Sequence, residues 1–398
     1  MKITFLGDIL LDNLMSESLE VYYDTNKNMY DFSSLFSNIS DYLGKSDYVI
    51  ANLETPISYD NTELTNVKWQ FCSPREFAVA VKKMGVDYVT TANNHCLDRG
   101  VDGLESTIRV LDEVGLAHTG TYARGKKREY SIVDICGTKI GILSYTYGTN
   151  AKTNHQYLGK KNRRLVDLTQ EQESYIDNIF IVDKLTKLFG YSRSLRLCRW
   201  LEYKLFPDNQ GKQWFEKRTF SFYRKRLLKK DIKSINKKAD YSVVCLHIGG
   251  QYNKEPSEYT KEMVKSCLNN GANIVIANHE HVVHSHFYSK SNKQFATYAI
   301  GNFISSTGVL REPYHIQSEY SVAVNCYFDE GKKVLDSISF SVLKIVEKNG
   351  LLTVYPVYDL LKNESSNTES LTNEALLVAQ VFSGIQYKSI EEEFVLYG

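Results

Sequence analysis

Short apolar runs alternate along the chain with polar or glycine-containing breaks and then with stretches of helical spacing. The runs are Ile3–Leu6, Tyr48–Ala51, Tyr88–Thr91, Lys139–Ser144, Tyr241–Leu246, Asn273–Ala277 and Gln294–Ala299, each the length of a buried strand. Between them, Pro74–Met84 and Gly103–Val114 are amphipathic. The second carries Leu104, Ile108, Leu111 and, displaced, Val114, and ends at Gly115, a residue suited to closing a helix. Strand and helix in alternation predict a layered α/β fold with at least partly parallel strands. Beyond Ile338 the pattern predicts two antiparallel strands, Ser339–Glu347 and Leu351–Val357. A polar loop, Lys362–Ser370, and a terminal helix near Asn373–Phe382 follow.

Composition narrows the class. With 398 residues, 42% hydrophobic and 24% charged, the chain has the make-up of a soluble globular protein with room for one large domain or two smaller ones. Disorder and collagen-like repeats are excluded. The first apolar run stops at Gly7-Asp8, too early for a signal peptide, and no segment approaches the roughly 18–20 apolar residues of a membrane span. The seven cysteines form no CxxC pair, the usage of a reducing compartment. A cytoplasmic protein is expected, peripheral to the inner membrane face if it touches a membrane.

The formal net charge of +1 conceals a division. Residues 159–238 hold 21 Lys/Arg against 9 Asp/Glu, net +12, and the rest of the chain is net −11. Aromatic residues interleave with these cations, and Tyr191–Phe206 has helical periodicity. Two readings stand: a helical insertion with a solvated basic face, or a docking surface for anionic lipid, an acidic polymer or a phosphorylated partner. No nucleic-acid partner is expected.

In layered α/β folds ligands gather at the C-terminal ends of strands, and here those ends carry chemistry. Gly7-Asp8 follows the first run, Asn52-Leu53-Glu54 the second, and Asn93-Asn94-His95 with Asp98 the third. His247-Ile248-Gly249-Gly250 and Asn278-His279-Glu280-His281 follow two later runs. Each element alone has a structural reading: a Gly-Asp turn, or a hydrogen-bonded Asn-His pair. Their conjunction at five strand ends points to a metal site. Imidazoles with hard oxygen ligands suit Zn, Mn, Fe or Ni. Glu54 could bridge two cations about 3.5–4 Å apart, with Asn94 a neutral ligand and His95 a proton donor off the metal.

These motifs resemble the bacterial CapA family of capsule biosynthesis and poly-γ-glutamate synthesis, whose fold is similar to the calcineurin-like metallophosphoesterases. The resemblance is carried by Phe5-Leu6-Gly7-Asp8, Ala51-Asn52-Leu53-Glu54-Thr55-Pro56 and Thr91-Ala92-Asn93-Asn94-His95. Downstream it continues in His247-Ile248-Gly249, His279-Glu280-His281-Val282-Val283 and Ala299-Ile300-Gly301-Asn302-Phe303. It covers about residues 1–150 and 235–310. It implies a discontinuous metallophosphoesterase-type domain over 1–158 and 236–361, a basic aromatic helical insertion at 159–235, and a C-terminal loop and helix at 362–398.

By the same resemblance Asp8, Glu54, Asn94, His247, His279 and His281 bind one or two divalent ions (Mn, Fe or Zn). His95 is the general acid, Asp98 orients it or a ligand, and Asn302 contacts substrate. The implied function is biosynthesis or processing of a capsular or cell-surface polymer. It would act by metal-dependent hydrolysis of a phosphoester or amide, or as a non-catalytic accessory protein. The implied partners are that polymer or its phosphorylated precursor, with a membrane surface or synthase complex contacted through 159–238. The sequence departs from the family pattern at Ile248 and Gln251, where Trp and Glu are usual. Glu280 replaces a common Pro and places a negative charge beside two imidazoles, where it could raise their basicity or contact a metal. Leu10 stands where phosphoesterases of this fold have His, so one metal position is short of a ligand.

Overall fold

The computed structural model describes residues 1–11, 19–61, 64, 70–159, 161–170, 172, 222–307, 318–329, 331, 334–363 and 368–397. Strands β1 (Lys2–Ile9), β2 (Tyr48–Leu53), β3 (Tyr88–Thr90) and β4 (Ala117–Thr119) are parallel neighbours, joined by crossover segments. Two of these crossovers contain the helices α1 (Arg75–Lys83) and α2 (Gly100–Val114). A second sheet is built from β5 (Ser131–Ile135), β6 (Thr138–Thr146), β7 (Tyr241–His247), β8 (Ile274–Asn278), β9 (His286–Ser289) and β10 (Gln294–Thr297), in the order β9-β10-β8-β7-β6-β5. Within it β6, β7, β8 and β10 run parallel.

The first sheet is extended to nine strands by β11 (Asn302–Ile304), β12 (Tyr320–Asp329), β13 (Val334–Lys348), β14 (Leu351–Pro356) and β15 (Phe394–Tyr397). β12 lies antiparallel to β1, and β11 continues beside β1 in parallel.

Burial sorts these elements into four layers. Ile3, Phe5, Ile50 and Tyr88 of the first sheet meet Ile142, Val243, Ile274 and Phe295 of the second in one apolar cluster between the sheets. The opposite face of the first sheet (Leu6, Val49, Ala51, Val89) packs against Phe77, Val81, Val110 and Leu111 of α1 and α2. The opposite face of the second (Val244, Leu246, Val275, Ala277) packs against two further helices, α3 (Phe222–Ile235) and α4 (Glu258–Asn269). A helix–sheet–sheet–helix sandwich results, the layered α/β arrangement that the strand–helix alternation predicts.

The C-terminal region belongs to this body. Helices α5 (Val357–Asn363) and α6 (Thr368–Ser383) insert Val357, Leu360, Leu371, Val378 and Phe382 into the inter-sheet cluster. α6 begins within the expected Lys362–Ser370 loop. β15, which the apolar pattern does not signal, pairs with β13; its four residues are too short a run to stand out. Among the described residues no helix is long and apolar enough to cross a membrane.

Both ends of the basic segment are also tied to the sandwich. Residues 165–170 are buried, and Val166 and Leu168 bridge to Thr121 and Thr146. α3 buries Leu228, Ile232 and Ile235 on the second sheet. Its only acid, Asp231, is buried and pairs with Arg128 at 2.7 Å, while Tyr145 and Tyr130 donate to the same carboxylate. Arg128 reaches Asp167 at 2.8 Å with its other nitrogen, and Tyr122 donates to Asp167 as well. One guanidinium thus fastens α3 and the 165–170 segment to the strands. The expected helix at Tyr191–Phe206 lies outside the described residues.

Removing one partner from a buried ion pair strands the other charge, at a cost of about 3–5 kcal/mol. Arg128→Ala is therefore expected to lower unfolding stability by that amount in urea titrations, and Arg128→Lys, which keeps the charge, by less. A loss below about 1 kcal/mol for the alanine variant would mean that the network does not hold α3.

Candidate metal centre

The C-terminal ends of the central strands from both sheets converge on one spot. Asp8 is the penultimate residue of β1, and a register shift between Phe5 and Asp8 re-aims its side chain. The bend needs Gly7: a Cβ there would lie 2.0 Å from the Gly301 carbonyl oxygen. Glu54 follows β2, His247 ends β7, and His279 and His281 leave β8 in a tight turn. In that turn both histidines have left-handed backbones, φ 105° and 60°, a strained conformation for residues with a Cβ.

Distances bring the set together. His247 Nε2 lies 2.7 Å from Asn94 Oδ1 and 3.2 Å from Glu54 Oε1. His281 lies 3.7 Å from Asp8 and 4.0 Å from Glu54. Two triads share Glu54: Glu54, His247 and His279, and Asp8, Glu54 and His281. In each, one donor atom per residue lies within 4.8 Å of the others. Asp8, Glu54 and His279 are fully buried, and the rings of His247 and His279 are 4.6 Å apart.

Asp8 Oδ2, both oxygens of Glu54 and both nitrogens of His279 are buried without a hydrogen-bond partner. Burying such groups unsatisfied costs several kcal/mol together, and a divalent cation would satisfy the carboxylate oxygens and one of the two His279 nitrogens. Burial, reinforced by the neighbouring Glu54 charge, pushes the Asp8 carboxyl up to about 7. Burial also raises Glu54, pulls His247 down to about 4 and holds His279 well below the usual imidazole range. Neutral imidazoles and carboxyls that resist ionisation are donors awaiting a positive charge. The residues present fit a divalent metal.

The remaining residues singled out from the sequence stand around this donor set. His95 Nδ1 lies 2.6 Å from Asp98 Oδ2, which also accepts from the Phe71 amide at 2.8 Å. The Phe71 ring stacks on the imidazole, centroids 4.0 Å apart. Burial alone would lower the His95 pKa, but the Asp98 carboxylate, helped by Glu54 and Asp8, outweighs it and the net shift is upward. Asn302 accepts with Oδ1 from His281 Nδ1 at 2.8 Å and donates to Ser305. It is buried against the His281 ring. Glu280 turns away from its flanking histidines: its oxygens accept from the Gly250 amide and Asn253 Nδ2, each at 3.0 Å. Leu10 is buried.

Other residues, to which sequence reasoning gave no role at the site, join it. Asn52 Nδ2 donates to Asp8 Oδ1 at 2.6 Å and lies 3.2 Å from His247 Nδ1. Its place two residues before Glu54 in a strand, on the same face by the period of 2, was the available signal. Gln251 Nε2 is 3.4 Å from His281 Nε2, and the Tyr147 and Tyr252 rings lie 4.8 Å from His279 and 5.3 Å from His281. Phe71 and Tyr147 are remote in sequence from the rings they cover, and nothing in the local pattern marks them.

Comparison with known proteins identifies the family. Residues 2–307 match the family model described as "Bacterial capsule synthesis protein PGA_cap". The capsule biosynthesis protein CapA of Bacillus anthracis is 24% identical over 347 residues, 86% of this chain and 67% of the relative. The PGA biosynthesis protein CapA of Bacillus subtilis (strain 168) is 22% identical over 314 residues, 77% of this chain and 64% of the relative. The chain thus spans about two thirds of the length of these curated relatives. A solved structure of a hypothetical protein from Thermus thermophilus overlaps 89% of this chain and 98% of its own, at 14% identity and a TM-score of 0.37. With its family model matched over most of the length and through every strand end described above, the chain belongs to the bacterial capsule synthesis protein family PGA_cap.

Proposed function

We propose that this protein is a divalent-cation-dependent hydrolase that processes a capsular or cell-surface polymer or its phosphorylated precursor, cleaving a phosphoester or an amide bond. The observation that carries the reading is the set of buried donor atoms without partners at Asp8, Glu54 and His279, next to a histidine held off that set by its own carboxylate. Asp8, Glu54, Asn94, His247, His279 and His281 would hold one or two ions of Mn, Fe or Zn. The chemistry such an ion would supply there is polarisation of a phosphoryl or carbonyl oxygen and a more acidic water.

The chain's own residues do the rest. Asp98 accepts from His95 Nδ1 and so leaves Nε2 as the end that delivers a proton to the leaving group. Phe71 covers one face of the ring and fixes its plane. The upward shift of the His95 pKa keeps more of the acid form at neutral pH, as a proton donor requires. Asn52 and Asn302 orient His247 and His281.

The test uses protein purified without chelators. Bound Mn, Fe or Zn is expected, and titrated Mn²⁺ should stabilise the fold by about 2.7 kcal/mol at 100 times its dissociation constant. That gain should vanish in His279→Ala. His95→Ala is expected to keep the metal and lose about 10²–10⁴-fold in turnover of a generic phosphodiester or a γ-glutamyl amide. Absence of metal, or turnover indifferent to His95, would reject the enzyme and leave the accessory reading.

A specific observation favours a peripheral role in addition. On α3 the residues Lys225, Arg226, Lys229, Lys230 and Lys233 are exposed, as are Lys237 and Lys238 just beyond it. The helix's one acid is buried on Arg128. Among the described residues none of these seven cations has a carboxylate partner within ion-pair distance. Such a face suits the anionic surface of a membrane, where each cation contributes about 1 kcal/mol at low salt. Replacing Lys225, Arg226, Lys229 and Lys230 with Glu should abolish co-sedimentation with phosphatidylserine-rich vesicles while leaving the thermal midpoint close to wild type. Wild-type binding should itself fall with added salt. Binding that is unchanged by the substitutions, or indifferent to salt, would dismiss the membrane contact.

A further inference from the structure

Glu280 sits between two of the proposed ligands, is fully buried, and does not face them. Its Oε1 accepts from the Gly250 amide and its Oε2 from Asn253 Nδ2, both at 3.0 Å. Its carbonyl accepts from the Tyr252 amide at 2.7 Å. One residue thereby accounts for three contacts to a single turn, 249–253, that approaches from the end of β7. Asn253 is held from the far side as well, its carbonyl lying 2.7 Å from His284 Nε2.

The turn is shaped around the carboxylate. Gly249 has φ 119°, and a Cβ built on it would fall 2.3 Å from Glu280 Oε1. The glycine supplies the space in which that oxygen sits. Tyr252, like His279 and His281, has a left-handed backbone. Two turns with strained residues face each other and are joined through Glu280, the situation in which such conformations persist. The side chains that the clasped turn carries are Gln251, its Nε2 3.4 Å from His281 Nε2, and Tyr252, its ring 5.3 Å from the same imidazole.

From this geometry we infer that Glu280 is a positioning residue: it locks the 249–253 turn onto the His279–His281 turn, and so holds the Gln251 carboxamide and the Tyr252 ring against His281. Gln251 then stands beside His281 Nε2, the ring nitrogen that Asn302 leaves available to a ligand, and bears on what that nitrogen holds. The consequence for metal affinity rests on His281 being a ligand, as proposed above; the clasp itself does not.

Two measurements on the full chain separate these. Hydrogen exchange at the Gly250 and Tyr252 amides needs no metal: exchange should accelerate about tenfold or more in Glu280→Ala and stay near wild type in Glu280→Gln, which still presents an acceptor to Gly250. Unchanged exchange in Glu280→Ala would overturn the clasp.

Titration with Co²⁺, followed by its visible d–d absorption, reads the consequence. Affinity should fall about 10–100-fold in Glu280→Ala, the effect expected of a lost support to a ligating histidine, and recover in Glu280→Gln. Gln251→Ala should change Co²⁺ affinity in the wild-type background but add nothing in Glu280→Ala, because the first change has already released the turn. Additive effects would overturn the assignment to Gln251. Wild-type protein that takes up no Co²⁺ would instead reject the metal reading, with the exchange result still deciding the clasp.

Discussion

Everything in this structure answers to one constraint: two carboxylates, Asp8 and Glu54, are buried beside each other at the ends of adjacent strands, with three imidazoles alongside. Burial penalises the charge on each, and their mutual repulsion adds to it, which is why Asp8 rises to about 7. The polypeptide supplies little to relieve this. Asn52 donates one hydrogen bond to Asp8, and the remaining oxygens of the pair accept no hydrogen bond. A fold that buries unsatisfied acceptors at its centre has a donor set that could hold a cation.

The scaffold makes such a placement possible because it has two parallel-stranded sheets instead of one. Each sheet delivers its chemistry at the C-terminal ends of its strands, and the sandwich brings the two sets of ends together. The oxygen donors Asp8, Glu54 and Asn94 come from the first sheet and the nitrogen donors His247, His279 and His281 from the second. The local devices serve that meeting. Gly7 lets β1 pass within contact of Gly301, the shift at Asp8 turns its side chain to the site, and Asn302 reaches across from β11 to hold His281. Mixed oxygen and nitrogen ligation follows from the way the layers are stacked.

The strands were legible because buried parallel strands are near-continuous apolar runs. α1 and α2 were legible because their apolar residues keep helical spacing against the first sheet. The donor residues stood out because each directly ends a run. What stayed hidden depends on contacts between segments distant in sequence. Phe71 meets His95 through the Asp98 carboxylate, Tyr147 meets His279 across two strands, and Arg128 joins Asp167 to Asp231. Glu280 was visible as a charge between two histidines, and its identity alone suggested that it would act on them. Its direction was set instead by the backbone of the turn at 279–281, which points the side chain at the Gly250 amide. The sequence identifies a group, but φ decides what it reaches.

The near-zero net charge acquires a structural meaning from the same separation. The acids that matter most lie inside, at the junction of the sheets. On α3, which covers the outer face of the second sheet, the exposed charged residues are all cations. Screening over about 8 Å at physiological ionic strength lets a partner at the outer face interact with α3 without experiencing the buried carboxylates. Conversely, the low dielectric around Asp8 and Glu54 concentrates their field on whatever occupies the junction. One chain can therefore present a cationic face on one side and buried carboxylates at its centre. The two opposite charges coexist because the second sheet, with its apolar faces on both sides, stands between them.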